Sequence, residues 1–366
     1  MSNLSLYETK LLLLGLVTLM KQPTMKDVAK MAGVSQPTVS HVINGTATIS
    51  ENVIKKVNEV IDELGYVPNA MAKSLKTSKS NIIGLIVPDV SIRFYSEMVR
   101  AIETGLRLKG YMVFLCNTFY DKDLEMKYIR TLIEHNVLGV ISGSDLLDAE
   151  SYSVLKNKSI PVVLLDTAIN SDRLFNVKVD NYMLAKMAVS HLYDVGARRI
   201  SYASEPLCVS VLKLRYEYFK KVVAEFGLTF DEKANFIAQN QYENFSKMKT
   251  GYNLAANILL NNSIDAVFAS SDELAFGIVE RLSEHKIKIP EQIQIMGCDN
   301  DPFSSLMNPS LTTIWQPIIQ MADISVSMIL RLIKKEVFEQ SSIKLEPNII
   351  IRESTMKFNK AGNYGV

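Results

Sequence analysis

The chain has 366 residues, 48% hydrophobic and 22% charged, which is too long for one modest core and too apolar for a disordered polymer. The formal net charge of +1 excludes a polycation, so any grip on nucleic acid has to come from a local patch. Three scattered cysteines without a C-x-x-C pair exclude a disulfide framework, and four scattered histidines offer no short metal motif.

The first elements lie in a segment set apart from the rest. Leu11 to Met20 is apolar except for Thr18. It is much shorter than the roughly 20 residues needed to cross a bilayer, and Met20-Lys21-Gln22-Pro23 offers no small-x-small cleavage site. Residues 1–19 are read as an N-terminal extension, with Met20 as an alternative start.

Residues 20–67 read as a three-helix head. Thr24 caps a first helix, and Asp27, three residues on, reaches back to the Thr24 amide. Val28, Ala29 and Ala32 form its apolar face, and Gly33 ends it. Ser35 caps a second helix with Pro37 in its first turn, where an imino nitrogen is tolerated. Val39, Val42 and Ile43 follow at helical spacing, and a third helix runs from a Ser50 cap to Leu64. Two short helices joined by a glycine turn make a helix-turn-helix. Its second helix turns Gln36, Pro37, Thr38, Ser40, His41 and Asn44 outward, and Gln and Asn side chains pair bidentately with adenine. Between 20 and 79, eight lysines face five acids, a local charge of +3 that favours phosphate. A plain three-helix protein-interaction module is the competing reading.

Residues 68–80 form a hinge. Ala70 to Lys76 is capable of helix but too short to be stable alone in water. Met71 and Leu75 share one face and suit an apolar wedge in a minor groove. A plain linker is the alternative.

From 81 to 346 strands and helices alternate. Strands are expected at 81–87, 111–116, 137–141, 161–166, 199–203, 266–269 and 294–299. Helices are expected at 94–109, 124–135, 181–195, 213–226, 251–260 and 274–285. The alternation restarts near 181, so the body is expected to be two doubly wound α/β lobes of about 120 to 150 residues each. Ligands in such sheets sit beyond the C-terminal ends of strands. Asp89, Asp166, Asp272 and Asp299 stand at such ends, with Ser271 beside Asp272. With Arg215, Phe94 and Tyr95 they suit a hydroxyl-rich ligand, although each acid could equally serve a turn. No G-x-S-x-G, Walker loop or H-E-x-x-H is present, so no catalytic residue, metal or cofactor is expected. A strand and tail occupy 347–366.

The chain resembles the LacI/GalR family of bacterial repressors from about Met20 to Thr355. The resemblance rests on Met25 to Ser35, Thr38 to Gly45, Leu64 to Asn69, Ala70 to Leu75, Ile83 to Asp89, Gly297-Cys298-Asp299-Asn300 and Leu311 to Pro317. It implies a cytoplasmic homodimer, sometimes a tetramer, that binds pseudo-palindromic double-stranded operator DNA and answers to a small-molecule effector, chiefly a sugar. A purine, a phosphorylated metabolite or a protein corepressor is the alternative. It implies DNA contacts from Gln36, Pro37 and His41, and from the hinge at Asn69, Ala72 and Leu75. It also implies effector contacts from Arg215 and Asp299, with Asp166, Ser271, Gln316, Phe94 and Tyr95 at further pocket positions.

The chain departs from the family at several points. Pro37 replaces a commonly polar reader, and His41 stands where arginine is frequent. Ile92-Arg93 replaces Asn-Pro ahead of the aromatic pair. Trp315, with Tyr242 and Phe245, is expected to cover a sugar face. Closure of the cleft on its effector is expected to shift the first lobes of the dimer and either pair or melt the hinge helices. A periplasmic sugar-binding protein and a carbohydrate enzyme are the rivals; the first fails on the head, and turnover of a sugar would support the second.

Overall fold

The computed structural model describes residues 23–66, 80–144, 146–147, 149–169, 174–239, 246–261, 263–338 and 340–355. The expectations for the N-terminal extension, for the hinge residues Asn69, Met71, Ala72 and Leu75, for Tyr242 and Phe245, and for the tail beyond 355 lie outside the described residues. The chain divides at Lys79/Ser80 into two compact units.

The first unit holds three helices, α1 (Met25–Ala32), α2 (Gln36–Asn44) and α3 (Glu51–Leu64). Thr24 and Asp27 form the reciprocal capping box that opens α1: the Asp27 carboxylate accepts from the Thr24 amide at 2.9 Å. Gly33 follows at φ 67°, a left-handed turn that costs a side-chain-bearing residue more. Ser35 accepts from the Thr38 amide and caps α2, with Pro37 in its first turn. Ser50 stands at the cap of α3 but makes no side-chain bond there, contrary to the sequence expectation. Val28, Ala29, Ala32, Val39, Val57, Val60 and Tyr66 bury together as one small core.

The second unit contains two six-stranded sheets of the same plan. In chain order the elements are β1 (Ile82–Val87), α4 (Arg93–Arg107), β2 (Met112–Asn117), α5 (Lys122–Glu134), β3 (Gly139–Ser142), α6 (Ser153–Asn157), β4 (Val162–Leu165) and β5 (Phe175–Val179). Then come α7 (Asn181–Asp194), β6 (Ile200–Ser204), α8 (Ser210–Glu225), β7 (Phe236–Ile237), α9 (Lys247–Leu260), β8 (Ala266–Ala269), α10 (Asp272–Glu284), β9 (Gln294–Cys298), β10 (Thr312–Trp315), α11 (Ile318–Ile333), β11 (Ser342–Leu345) and β12 (Asn348–Ile350). The first sheet runs β11-β5-β4-β3-β1-β2, and the second β12-β10-β9-β8-β6-β7. All pairings are parallel except β10 with β12. Parallel strands are covered on both faces, so their sequences read as unbroken apolar runs such as Ile82 to Val87.

The lobes are not two consecutive halves, as the restart near 181 suggested. The chain crosses after β5, returns after β10, and crosses again between β11 and β12. The returning helix α11 packs on α4 and on β3, β4 and β5 of the first sheet. Gly139 lets it in: a Cβ there would lie 2.8 Å from the Ile329 side chain. In the second lobe α9 and α10 touch through their backbones. A Cβ on Gly251 would fall 1.9 Å from the Leu274 carbonyl oxygen, and one on Gly277 1.8 Å from that of Met248.

Candidate functional site

Each unit presents one surface that suits a ligand. In the first, helix pitch sends Val39 inward and leaves Gln36, Pro37 and His41 exposed, with Thr38 and Ser40 half-buried. The Gln36 side chain makes no hydrogen bond among the described residues. His41 Nδ1 lies 2.9 Å from the Thr46 hydroxyl. Thr24 and Ser35 serve as caps, and Thr38 Oγ1 lies 2.8 Å from Ser35 Oγ. The Asn44 amide donates to the Ser40 carbonyl at 2.7 Å, so its N–H points back along its own helix. Gln36 and His41 are therefore exposed polar side chains on this face.

In the second unit the C-terminal strand ends of both sheets converge on a narrow cleft. The first lobe supplies Ile92, Phe94, Tyr95, Tyr120 and Asp166. The second supplies Glu205, Val209, Val211, Leu212, Arg215, Lys247, Ser270, Asp299 and Gln316. Asp166 follows β4 and Asp299 follows β9, strands that hold equivalent places in the two sheets. Each acid keeps its amide in the ladder, to Val177 at 2.9 Å and to Ile314 at 2.8 Å. Each also has a left-handed backbone, φ 49° and 111°. Such conformations cost residues with a Cβ on the order of 1–3 kcal/mol and tend to collect at functional sites.

Arg215, on α8, is only 3% exposed. Its Nε donates to Asn181 Oδ1 at 3.0 Å and its Nη1 to the Ser270 carbonyl at 3.3 Å. Gln316 donates to Asp299 at 2.6 Å, while its buried Oε1 has no partner among the described residues. Burial pushes Asp299 up to about 6, against the nearby cations of Lys247 and Arg215. Phe94 and Tyr95 meet edge to face with ring centroids 5.2 Å apart at the first-lobe wall.

The cleft thus gathers Phe94, Tyr95, Asp166, Arg215, Asp299 and Gln316 and leaves out Ser271, Asp272 and Trp315. Ser271 caps α10 and donates to Glu205 at 3.3 Å. Asp272 faces inward: its carboxylate accepts from Thr313 Oγ1 at 2.6 Å, the Asp301 amide at 2.7 Å and Ser304 Oγ at 2.7 Å. Burial first, and then the charge of Asp299, push Asp272 up to about 8. It pins the loop after β9 and lines an adjoining pocket that shares Phe94 and Asp299 with the cleft. Trp315 is 40% exposed on β10, outside the cleft lining. Asp89 folds into its own turn and accepts from the Ser91 amide at 2.9 Å.

Sequence reasoning missed Glu205 and Lys247, an ion pair at 2.9 Å in the cleft wall. Glu205 was within reach of the strand-end rule, one residue past β6; Lys247 carried no local signal. It also missed a bridge across the mouth of the cleft. Arg93 of α4 pairs with Asp301 of the second lobe at 3.6 Å, and its amide donates to Glu273 at 3.4 Å. Among the described residues no cluster of His, Cys, Asp and Glu could hold a metal ion, and no helix is long and apolar enough to cross a membrane.

Comparison with known proteins gives the following. Residues 24–69 match the family model "Bacterial regulatory proteins, lacI family", and residues 189–355 match "Periplasmic binding protein-like domain". The chain is 36% identical to the HTH-type transcriptional regulator RegA of Clostridium acetobutylicum, over 90% of this chain and 98% of that protein. It is 34% identical to the ribose operon repressor of Halalkalibacterium halodurans, over 91% and 97% respectively. Among solved structures, a periplasmic binding protein/LacI transcriptional regulator of Alkaliphilus metalliredigens, complexed with D-xylulofuranose, shares 31% identity at TM-score 0.66. It covers 76% of this chain and is itself covered completely (100%). A lac repressor dimer bound to operator shares the fold at TM-score 0.78 and 23% identity, covering 92% of this chain and 99% of that one.

Proposed function

Because the chain belongs to the lacI family of bacterial regulatory proteins, we propose that this DNA-binding transcription regulator is a repressor that reads its operator through α2 and is controlled by a sugar held in the cleft of its second unit. The observation that carries the reading is the orientation of α2. Val39 is fully buried while Gln36, Pro37 and His41 are exposed, and the sequence from 20 to 79 carries eight lysines against five acids. The cleft supports a sugar: carboxylates accept hydroxyl protons, and the Phe94–Tyr95 wall covers an apolar face. The relatives named for ribose and solved with D-xylulofuranose favour the same class.

The effector is bound and released unchanged, and the protein works in the cytoplasm, where its operator lies. Asn69, Ala72 and Leu75 are assigned to the hinge contact with DNA. The homodimer is supported by β2, the outer strand of the first sheet, which leaves Met112 63% and Leu115 41% exposed. Coupling is reciprocal: the factor by which the sugar changes operator affinity is the factor by which operator changes sugar affinity.

The test is selection of duplexes from a random library by the purified protein, with and without D-ribose and D-xylulose. A pseudo-palindromic consensus should emerge, and its affinity should change with one of the sugars. Gln36→Ala should weaken the selected site about 5- to 150-fold, the range of one bidentate base contact. Leu75→Ala should weaken operator binding far more than sugar binding. No enrichment of any duplex at moderate salt would end the proposal.

A further inference from the structure

The cleft contains one feature that sugar recognition by Arg215 and Asp299 does not use. Glu205 is fully buried, and its carboxylate is held by three donors from within the protein. Oε1 accepts from Lys247 Nζ at 2.9 Å and from Ser271 Oγ at 3.3 Å, and Oε2 accepts from Ser270 Oγ. Burial would push Glu205 up, but Lys247 and Ser270 bring it below the ordinary carboxylate range. Lys247 is the first residue of α9, a helix of 14 residues, and its side chain is 12% exposed. A cation at that end adds to the positive end of the helix dipole, which disfavours it unless an anion stands opposite. A buried lysine in a cleft is a ready partner for an anion. Here the protein's own carboxylate, Glu205, already takes that place beside Lys247.

Arg215, the other cation among the described cleft residues, is held by Asn181 and Ser270 and lies near Asp166 and Asp299. Among the described residues that line the cleft, carboxylates therefore outnumber cations, and an entering phosphate would meet repulsion there. Hydroxyls meet no such barrier. The unpartnered Oε1 of Gln316 and the carboxylates accept from them, and Lys247 retains donors beyond its bond to Glu205.

We propose that Glu205 is an internal anion that neutralises Lys247 in the cleft wall, so that the effector is an uncharged, hydroxyl-rich molecule and its phosphate esters are excluded. The inference rests on the cleft being the effector site.

The experiment follows thermal stability and calorimetric binding of the full chain and of Glu205→Gln with D-ribose, D-xylulose and their 5-phosphates. The wild-type chain should be stabilised by a neutral sugar, with the matching ester at least about tenfold weaker. Glu205→Gln should gain at least about tenfold for the ester, and the gain should vanish in Glu205→Gln/Lys247→Met, which removes both charges. Should Glu205→Gln fold poorly, inorganic phosphate should restore its melting temperature more than chloride at equal ionic strength, and leave the wild type unmoved. Equal binding of ester and sugar by the wild type, or no gain and no phosphate rescue in Glu205→Gln, overturns the proposal. If no sugar moves the wild type, the sugar reading fails, while the phosphate arm on Glu205→Gln still decides the role of Glu205.

Discussion

Arg215 shows how one side chain takes on two tasks. It is expected to hold the effector, yet it is also a strut that satisfies Asn181 and the Ser270 carbonyl inside the protein. Arg215→Ala should abolish the effector-induced rise in melting temperature. It should also destabilise the apo protein by about 1–3 kcal/mol, because buried acceptors lose their donor; denaturant unfolding without ligand measures this. The acids make a prediction about pH. Asp299 rises from 3.8 to about 6 and Asp272 from 3.8 to about 8, so the folded chain holds protons that the unfolded chain would release. Their stabilisation is complete below about 4 and is lost as pH climbs through about 6 and then about 8. Melting temperature should fall across that window. Sugar affinity should run the other way near its lower end, weakening as pH drops below about 6, because a protonated Asp299 is a poorer acceptor. A sugar affinity that does not change between pH 5 and 7 would remove Asp299 from the contact.

Secondary-structure elements differ in how much of their reason is local. Thr24 with Asp27, and Pro37 behind Ser35, mark helix starts within four residues, and the first helices were readable from them. Ala266 to Ala269 was readable because a buried parallel strand is apolar throughout. Strand-end acids were readable as a class but not singly. Asp166 and Asp299 face the cleft, whereas Asp272 turns to Thr313 and Ser304, partners that only the fold brings near. Lys247 was hidden for the same reason, since its meaning depends on Glu205 across the cleft wall. Helix α11, between β10 and β11, is strongly apolar, but its place against the first sheet follows from the returning chain path and not from its own sequence. The α9–α10 contact offers a test at this scale. In Gly251→Ala the new methyl would meet backbone, which cannot rotate away, so the helices must part. The expected cost is about 1–3 kcal/mol, read by denaturant unfolding.

At the scale of the molecule, the interleaved path makes the second unit one thermodynamic body. Neither sheet is built from a continuous segment: β11 completes the first after the chain has left it, and β12 closes the second. The residues from Ser80 onward should melt in a single transition whose midpoint rises with effector, and calorimetry that resolved two independent lobes would contradict this. The bridge from Arg93 to Asp301 and Glu273 has a further consequence. It fastens the entrance of the cleft with charges partly open to water, and such charges weaken as salt screens them. A trapped solute should therefore escape faster in concentrated brine than in dilute buffer, which would make the regulator's memory of its signal shorter when the cell is osmotically stressed.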